Sequence, residues 1–241
     1  MKVTAEQIYE ALRDDFKFIG ADGYIRFNLR DYGIIVEQNN VVGNIIEEWI
    51  AKWLNHKGYD NIHNPGQSSP DFWLNPDNLS EQWLEVKTFT GNPNFDIGSF
   101  RGYINEVVEY PWKLHSKYLL VRYKMADQGG LVEIDDFWLK NVWEISSTSG
   151  RWPIKVQYRN KVINNIRPAA WYSDRASFPV FDCLEDFLSA LEQTIYDYHD
   201  TRVTIAESWA KRLCHNYQKH YGRELILPRW MDIKDKYIKE G

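Results

Sequence analysis

Two short segments decide the fold of this chain: Pro70-Asp71-Phe72-Trp73-Leu74 and Gln82-Trp83-Leu84-Glu85-Val86-Lys87. A polar turn lies between them, and this arrangement predicts a β-hairpin. Because side chains alternate between the two faces of a strand, Glu85 and Lys87 are expected on one face, while Leu84 and Val86 point into the core. Pairing of the two strands would bring Asp71 beside Glu85 and Lys87.

Two carboxylates and an ammonium group at one small site predict binding of a hard divalent cation, which takes oxygen ligands and keeps several waters. We expect Asp71, Glu85 and Val86 to form this metal site. The ion would polarise a phosphate, and Lys87 would orient or deprotonate an attacking water, or stabilise charge on the phosphate. The alternative is an ordinary hairpin with a solvated Glu and Lys on its outer face.

The pair Pro70-Asp71, followed by Glu85-Val86-Lys87, resembles the PD-(D/E)xK nuclease signature. Within that superfamily the chain resembles type II restriction endonucleases of the EcoRV-like branch, near the NgoBV/NlaIV group. The resemblance covers residues 40–198, because further similar segments follow in the same order: Phe95-Asp96-Ile97-Gly98, a strand at 119–123, a strand at 154–156 and an amphipathic helix at 184–195.

This resemblance implies an α/β (α+β) fold in which helices flank a restriction-endonuclease-like mixed central sheet. We expect a single endonuclease domain over residues 1–241. It would contain a catalytic core at about 40–125, a DNA-recognition region at about 150–180 and C-terminal helices at 182–241.

The implied activity is Mg²⁺-dependent, sequence-specific hydrolysis of double-stranded DNA, leaving 5′-phosphate and 3′-hydroxyl ends. The resemblance also implies a homodimer on a palindromic site, since two-fold protein symmetry mirrors two-fold site symmetry. A cognate DNA methyltransferase in the same prokaryotic host is the expected genetic partner. Two other functions stay open: a structure-selective repair nuclease or resolvase of the same superfamily, and a non-catalytic DNA-binding module with a structural hairpin.

A helix with an apolar stripe is predicted from about residue 42 to His56, ahead of the hairpin. In nucleases of the resembling superfamily, a helix at this place supplies a further carboxylate to the metal site. Glu47, four residues after Gly43, is the preferred candidate, and Glu48 is its close rival. The alternative is that both face solvent.

The predicted DNA contacts lie in two regions. A hairpin at residues 154–163 leads into a segment that corresponds to the major-groove recognition loop of the EcoRV-like branch, and Arg and Asn are the residue types that read guanine and adenine. A glycine-containing loop at residues 95–102 resembles the minor-groove loop, where amides approach phosphates. The candidates are Asn164, Asn165, Arg167, Ser173, Arg175, Ser99 and Arg101. Plain surface turns are the alternative in both places.

The charge distribution is consistent with a DNA-contacting half. The net charge is −5, yet residues 137–176 contain seven Lys or Arg against two acidic residues, and residues 201–241 contain nine against five. The alternative is a solvated basic surface.

Other sequence features narrow the class of protein. There is no apolar run of about 20 residues and no signal-peptide pattern, so we expect no membrane partner and a cytoplasmic location. Cys183 and Cys214 lack metal or redox spacing and are expected to be inert thiols. The histidines predict no zinc.

Outside the hairpin, we expect a helix at residues 4–15, a buried strand at 117–124 and a helix at 134–145. A capping box at Asp182-Cys183-Leu184-Glu185 is expected to start a late helix.

Overall fold

The computed structural model describes residues 1–66, 68–126, 129–198 and 203–238, with the backbone alone over 203–207. The chain forms two compact units. The first unit contains Met1–Asn92 and Ser116–Lys140, and the second contains Pro93–His115 and Asn141–Gly241.

Helices and strands both occur in each half of the chain. The strands are β1 (Asp22–Tyr24), β2 (Arg26–Leu29), β3 (Tyr32–Ile35), β4 (Ile62–His63), β5 (Phe72–Trp73), β6 (Trp83–Phe89), β7 (Gly98–Ser99), β8 (Lys117–Met125), β9 (Leu131–Lys140), β10 (Val156–Arg159) and β11 (Val162–Ile166). The helices are α1 (Ala5–Glu10, continued as a π-helix over Ala11–Phe16), α2 (Val42–His56), α3 (Phe100–Glu109), α4 (Leu184–Asp197), α5 (Val203–Tyr221) and α6 (Trp230–Ile233). Every helix in the described part of the chain is too short or too polar to cross a lipid bilayer.

A six-stranded mixed sheet forms the centre of the first unit, with strand order β1-β9-β8-β6-β5-β4. β6 and β8 run parallel, and every other pair is antiparallel. The predicted hairpin is confirmed, because Phe72 of β5 pairs with Leu84 of β6. β6 and β8 lie at the centre of the sheet. β8 carries the nearly continuous apolar run, Tyr118 to Val121, that burial on both faces requires, while β6 interrupts its apolar residues with Glu85 and Lys87.

Helix α2 packs against this sheet through the predicted apolar stripe. Ile50 and Leu54 are fully buried in one core with Phe72 and Leu84. Gly43 permits a close approach of α2 to β6, since a Cβ atom there would lie 2.6 Å from the Thr88 Oγ1 atom. The helix that carries Glu47 is therefore held directly against the strand that carries Glu85 and Lys87.

The second unit combines a three-stranded sheet, in the order β10-β11-β7, with helices α3, α4 and α5. Leu188 and Leu191 of α4 and Trp209 of α5 are fully buried. The Trp209 indole donates a 2.7 Å hydrogen bond to the Ile104 carbonyl, which ties α5 to α3.

The helix predicted at residues 134–145 is wrong, because Leu131–Lys140 is strand β9, paired along β8. The pairing register shifts between Arg122 and Tyr123, whose partners are Asp136 and Ile134, so one extra residue is accommodated in β9. Ile134 and Phe137 are consequently both buried although they lie three residues apart. A β-bulge thus produced the apolar spacing that is typical of a helix.

The capping box predicted at Asp182 is also wrong. Helix α4 begins one residue later than that pattern requires. Its N-cap is Cys183, which makes no side-chain capping bond. The loop predicted at residues 95–102 is partly wrong, because Phe100 already begins α3 and Ser99 is its N-cap.

Candidate active site

Asp71 lies immediately before β5, at the edge of the central sheet where the β5–β6 pairing ends. Its Oδ2 atom accepts a 2.7 Å hydrogen bond from the Val86 amide. Its main-chain carbonyl accepts a 2.8 Å bond from the Asn64 amide, next to β4. Asp71 is therefore held from both neighbouring strands.

Glu85 and Lys87 project from the same face of β6, as their spacing predicts. The Lys87 Nζ atom lies 3.1 Å from Glu85 Oε2 and 3.9 Å from Asp71 Oδ2. The Glu85 side chain is only 6% exposed, and its Oε1 atom accepts a short hydrogen bond from the Ser69 hydroxyl. The structure thus brings Asp71, Glu85 and Lys87 together in one mostly buried cluster.

The charged groups of this cluster lie close enough to shift one another's pKa values. Burial and, after it, the neighbouring Glu85 carboxylate raise the pKa of Asp71 from its usual 3.8 to about 7, against the opposing effect of Lys87. Burial alone would lower the pKa of Lys87, but the carboxylates of Glu85 and Asp71 outweigh burial and raise it. Lys87 is therefore an ammonium group at neutral pH.

Glu47 is half-buried on α2, while Glu48 on the same helix is exposed. The Glu47 charge contributes to raising the pKa of both Asp71 and Lys87, which places it near the cluster. Between the two predicted rivals, the geometry favours Glu47.

Two residues of the site were not anticipated from the sequence. The His63 Nε2 atom lies 3.0 Å from Glu47 Oε1, and its ring stacks on Phe72 at 4.9 Å between centroids. Ser69, which binds Glu85, directly precedes Pro70 and could have been proposed from that adjacency. His63 had no comparable signal, because β4 has only two residues and lies in a polar region.

The donor set fits a hard cation that is completed by other ligands. Among the described residues, no three or more His, Cys, Asp or Glu side chains form a ready-made metal cage. Mg²⁺ does not need one, because it is commonly held by one or two carboxylates together with waters and substrate phosphates. The raised pKa of Asp71 reflects its burial and, second, the adjacent Glu85 carboxylate, and a divalent cation bound there would favour the ionised form of both carboxyl groups.

Two of the predicted DNA-contacting residues lie in a strand and not in the loop where the sequence placed them. Asn164 and Asn165 belong to strand β11 rather than to the loop after it. Asn165 Nδ2 lies 2.9 Å from Asp96 Oδ2. Arg167 lies just beyond β11, and its Nη1 atom lies 2.5 Å from Asp96 Oδ1. Asp96 thus joins the two predicted base-reading side chains.

The other predicted DNA contacts lie in turns and at a helix start. The Ser99 hydroxyl accepts a 3.2 Å bond from the Gly102 amide at the start of α3, which also carries the exposed Arg101. The Ser173 hydroxyl accepts a 3.2 Å bond from the amide of the exposed Arg175.

Known proteins match the whole chain or a large part of it. The family model of the NgoBV restriction endonuclease matches residues 2–237. The type II restriction enzyme NlaIV of Neisseria lactamica is 43% identical over 100% of both chains. The type II restriction enzyme NgoBV of Neisseria gonorrhoeae is 41% identical over 64% of this chain and 89% of its own.

A solved structure confirms the expected fold class. The NlaIV restriction endonuclease superposes with a TM-score of 0.93 at 41% identity, covering 100% of this chain and 98% of that one. The predicted resemblance to the NgoBV/NlaIV group of type II restriction endonucleases is confirmed as well. The chain therefore belongs to the NgoBV family of type II restriction endonucleases.

Proposed function

We propose that the protein is a Mg²⁺-dependent nuclease that hydrolyses phosphodiester bonds of double-stranded DNA at a specific sequence. The observation that carries this proposal is the buried cluster of Asp71, Glu85 and Lys87, in a chain whose full-length relative is named a type II restriction enzyme.

Asp71 and Glu85 would hold the metal through carboxylate oxygens. Val86 can contribute only its main-chain carbonyl. Its amide points to the side where β5 has ended, as the bond to Asp71 shows, and the carbonyl of a strand residue points to the same side as its amide. A bound Mg²⁺ ion supplies Lewis-acid activation of the phosphate and of a bound water.

Lys87 acts as a cation in this proposal. Because its pKa is raised, it is suited to orient the attacking water and to stabilise charge on the phosphate rather than to accept a proton. Glu47 adds a third carboxylate at the edge of the site, and His63 fixes its orientation.

Sequence recognition would use two groups of polar residues in the second unit. Asn164, Asn165 and Arg167, supported by Ser173 and Arg175, would read base edges. Ser99 and Arg101, at the start of α3, would contact the phosphate backbone. Asp96 would hold Asn165 and Arg167 in place before DNA binds.

The assembly proposed with this activity is a homodimer on a palindromic DNA site. A cognate DNA methyltransferase would protect the host genome, and the enzyme would act in the cytoplasm of a prokaryotic cell.

Cleavage of long linear DNA tests the proposal. Purified wild-type protein is incubated with Mg²⁺ beside Glu85→Ala and Lys87→Ala, and the fragment ends are sequenced. Glu48→Gln, which changes an exposed acid on α2, is the matched control. We expect discrete fragments with one shared end sequence from the wild type and the control, and none from the two site variants.

Other outcomes would contradict the proposal. A smear of fragments would indicate a less selective nuclease, and cutting only at branched DNA would indicate a resolvase. DNA binding without cutting in any divalent metal would indicate a binding module.

A further inference from the structure

The hairpin formed by β2 and β3 has an unusual amphipathic arrangement. Phe27 pairs with Ile34 and Leu29 pairs with Tyr32, and directly paired residues share a face of a sheet. One face of the hairpin is therefore entirely apolar, and we call these four residues the hairpin face. They are between 47% and 76% exposed, so this apolar face lies in solvent instead of on the core.

The hairpin has little else to stabilise it. All eight of its strand residues are exposed, and in the described part of the chain no third strand pairs with its outer edges. The 2.9 Å bond from the Val36 amide to the Ile25 carbonyl only continues the pairing of the hairpin itself. A 3.0 Å bond from the Gly129 amide to Glu37 Oε1 joins the base of the hairpin to the rest of the first unit. A two-stranded hairpin is marginally stable in water without a covered apolar face, so a covering surface is expected.

A shallow apolar cavity of about 190 Å³ lies beside the base of the hairpin. Its lining includes Phe16, Tyr24 and Ile45, which are themselves 39% to 50% exposed. The same unit therefore presents an apolar projection and an apolar depression. This combination suits an isologous contact, in which the same surface of each copy must be complementary to itself.

The available area is sufficient for a specific dimer. The hairpin face and the exposed cavity residues together offer on the order of 700 Å² of apolar surface, if a buried aromatic side chain covers ~150–250 Å². A standard interface buries about 800 Å² on each partner. Contiguous exposed apolar surface of this size marks an interaction site.

The charges around the hairpin favour a second copy over DNA. Residues 22–37 contain two arginines against three carboxylates, which gives phosphates no net attraction. Arg30 and Asp31 are adjacent at the tip. These two charges cancel, so the tip carries no net charge that would repel a second copy.

We infer that the hairpin face is the surface on which a second copy of this chain docks. The inference rests on the proposed function only in naming the partner of the two-fold assembly proposed there; its support is the exposed apolar surface. The occupant is a second copy whose own hairpin and cavity complete the contact.

Sedimentation equilibrium without DNA or divalent metal tests the inference. We expect wild-type protein to have about twice the 28.6 kDa mass of one chain. The double variant Leu29→Glu/Tyr32→Glu should have the mass of one chain, with an unchanged far-UV circular dichroism spectrum. Ile226→Glu is the matched control, because Ile226 is 69% exposed and Leu29 is 68% exposed, and it should stay dimeric.

Three results would overturn the inference: a monomeric wild type, a double variant that stays dimeric, or a control that dissociates equally. Weakened DNA binding of the double variant at unchanged mass would assign the face to DNA instead. Should the double variant not fold, Tyr32→Cys decides the question with a short bis-maleimide cross-linker. It should give a cross-linked dimer where wild-type protein and Ile226→Cys do not, and equal cross-linking of all three would contradict the inference.

These measurements are independent of cleavage. A protein that dimerises through the hairpin but does not cut DNA contradicts only the proposed reaction. A protein that cuts DNA while the double variant stays dimeric contradicts only the docking surface.

Discussion

Asp71 shares a mostly buried site with Glu85, and both burial and that neighbouring carboxylate favour its protonated form. The sequence was sufficient to predict this grouping, because strand alternation and the short turn fix which side chains meet. It was not sufficient to predict Ser69 and His63, whose positions depend on a two-residue strand and on contacts across the sheet.

Asp71→Asn should change how stability depends on pH. The pKa of Asp71 is raised to about 7, so the folded protein holds this proton more tightly than the unfolded chain does. As the pH rises from about 4 towards 7, ionisation of Asp71 lowers the free energy of unfolding of the wild type. The variant has no carboxyl group at this position and does not lose this stability.

Thermal unfolding across this pH range, without divalent metal, measures the effect. The unfolding temperature of Asp71→Asn relative to wild type should increase with pH and level off above about 7. Added Mg²⁺ should stabilise the wild type more than the variant. A difference between the two proteins that stays constant with pH would contradict the assignment.

His63 should act by positioning Glu47. His63→Ala should slow cleavage roughly 10–100-fold, the usual cost of losing a residue that orients a metal-site carboxylate. His63→Gln keeps a donor towards Glu47 and should recover much of the activity. Single-turnover cleavage and the Mg²⁺ concentration for half-maximal rate are the measurements, and equal loss in both variants would indicate a packing role instead.

At the scale of elements, the site depends on how closely α2 approaches β6. The predicted hairpin, α2 and β8 agree with the structure because each has a regular apolar pattern. β9 does not, because its bulge imitates helical spacing, and that irregularity becomes visible only when the strand is paired with β8.

Gly43→Ala should disturb this approach. The added methyl group would meet Thr88 Oγ1 at 2.6 Å, so α2 or the Thr88 side chain must shift, at an expected cost of about 1–3 kcal/mol of stability. Cleavage should fall as well, since Glu47 moves with the helix. Urea unfolding and single-turnover cleavage measure the two effects.

Two further variants separate this effect from a general cost of replacing glycine. The double variant Gly43→Ala/Thr88→Ala removes the clashing oxygen and should restore stability. Gly23→Ala adds a methyl group where no atom lies within 4 Å and should be near neutral. A double variant as unstable as Gly43→Ala alone would contradict the contact.

At the scale of the whole molecule, the net charge of −5 means that DNA binding depends on where the basic residues lie. Non-specific affinity should be weak and should fall about tenfold between 50 and 200 mM salt for every two phosphates contacted. Fluorescence anisotropy with a DNA duplex of unrelated sequence measures this dependence. A salt-independent affinity would contradict contact with phosphates.

The catalytic assignment is tested most directly by single-turnover cleavage of a duplex that carries the wild-type end sequence, with DNA binding measured in parallel. Lys87→Ala and Glu85→Gln should bind this duplex but cut it at least 100-fold more slowly than the wild type, while Glu48→Gln cuts at the wild-type rate. Cutting by Lys87→Ala and Glu85→Gln at rates near that of the wild type would contradict the assignment of the active site to the β5–β6 hairpin.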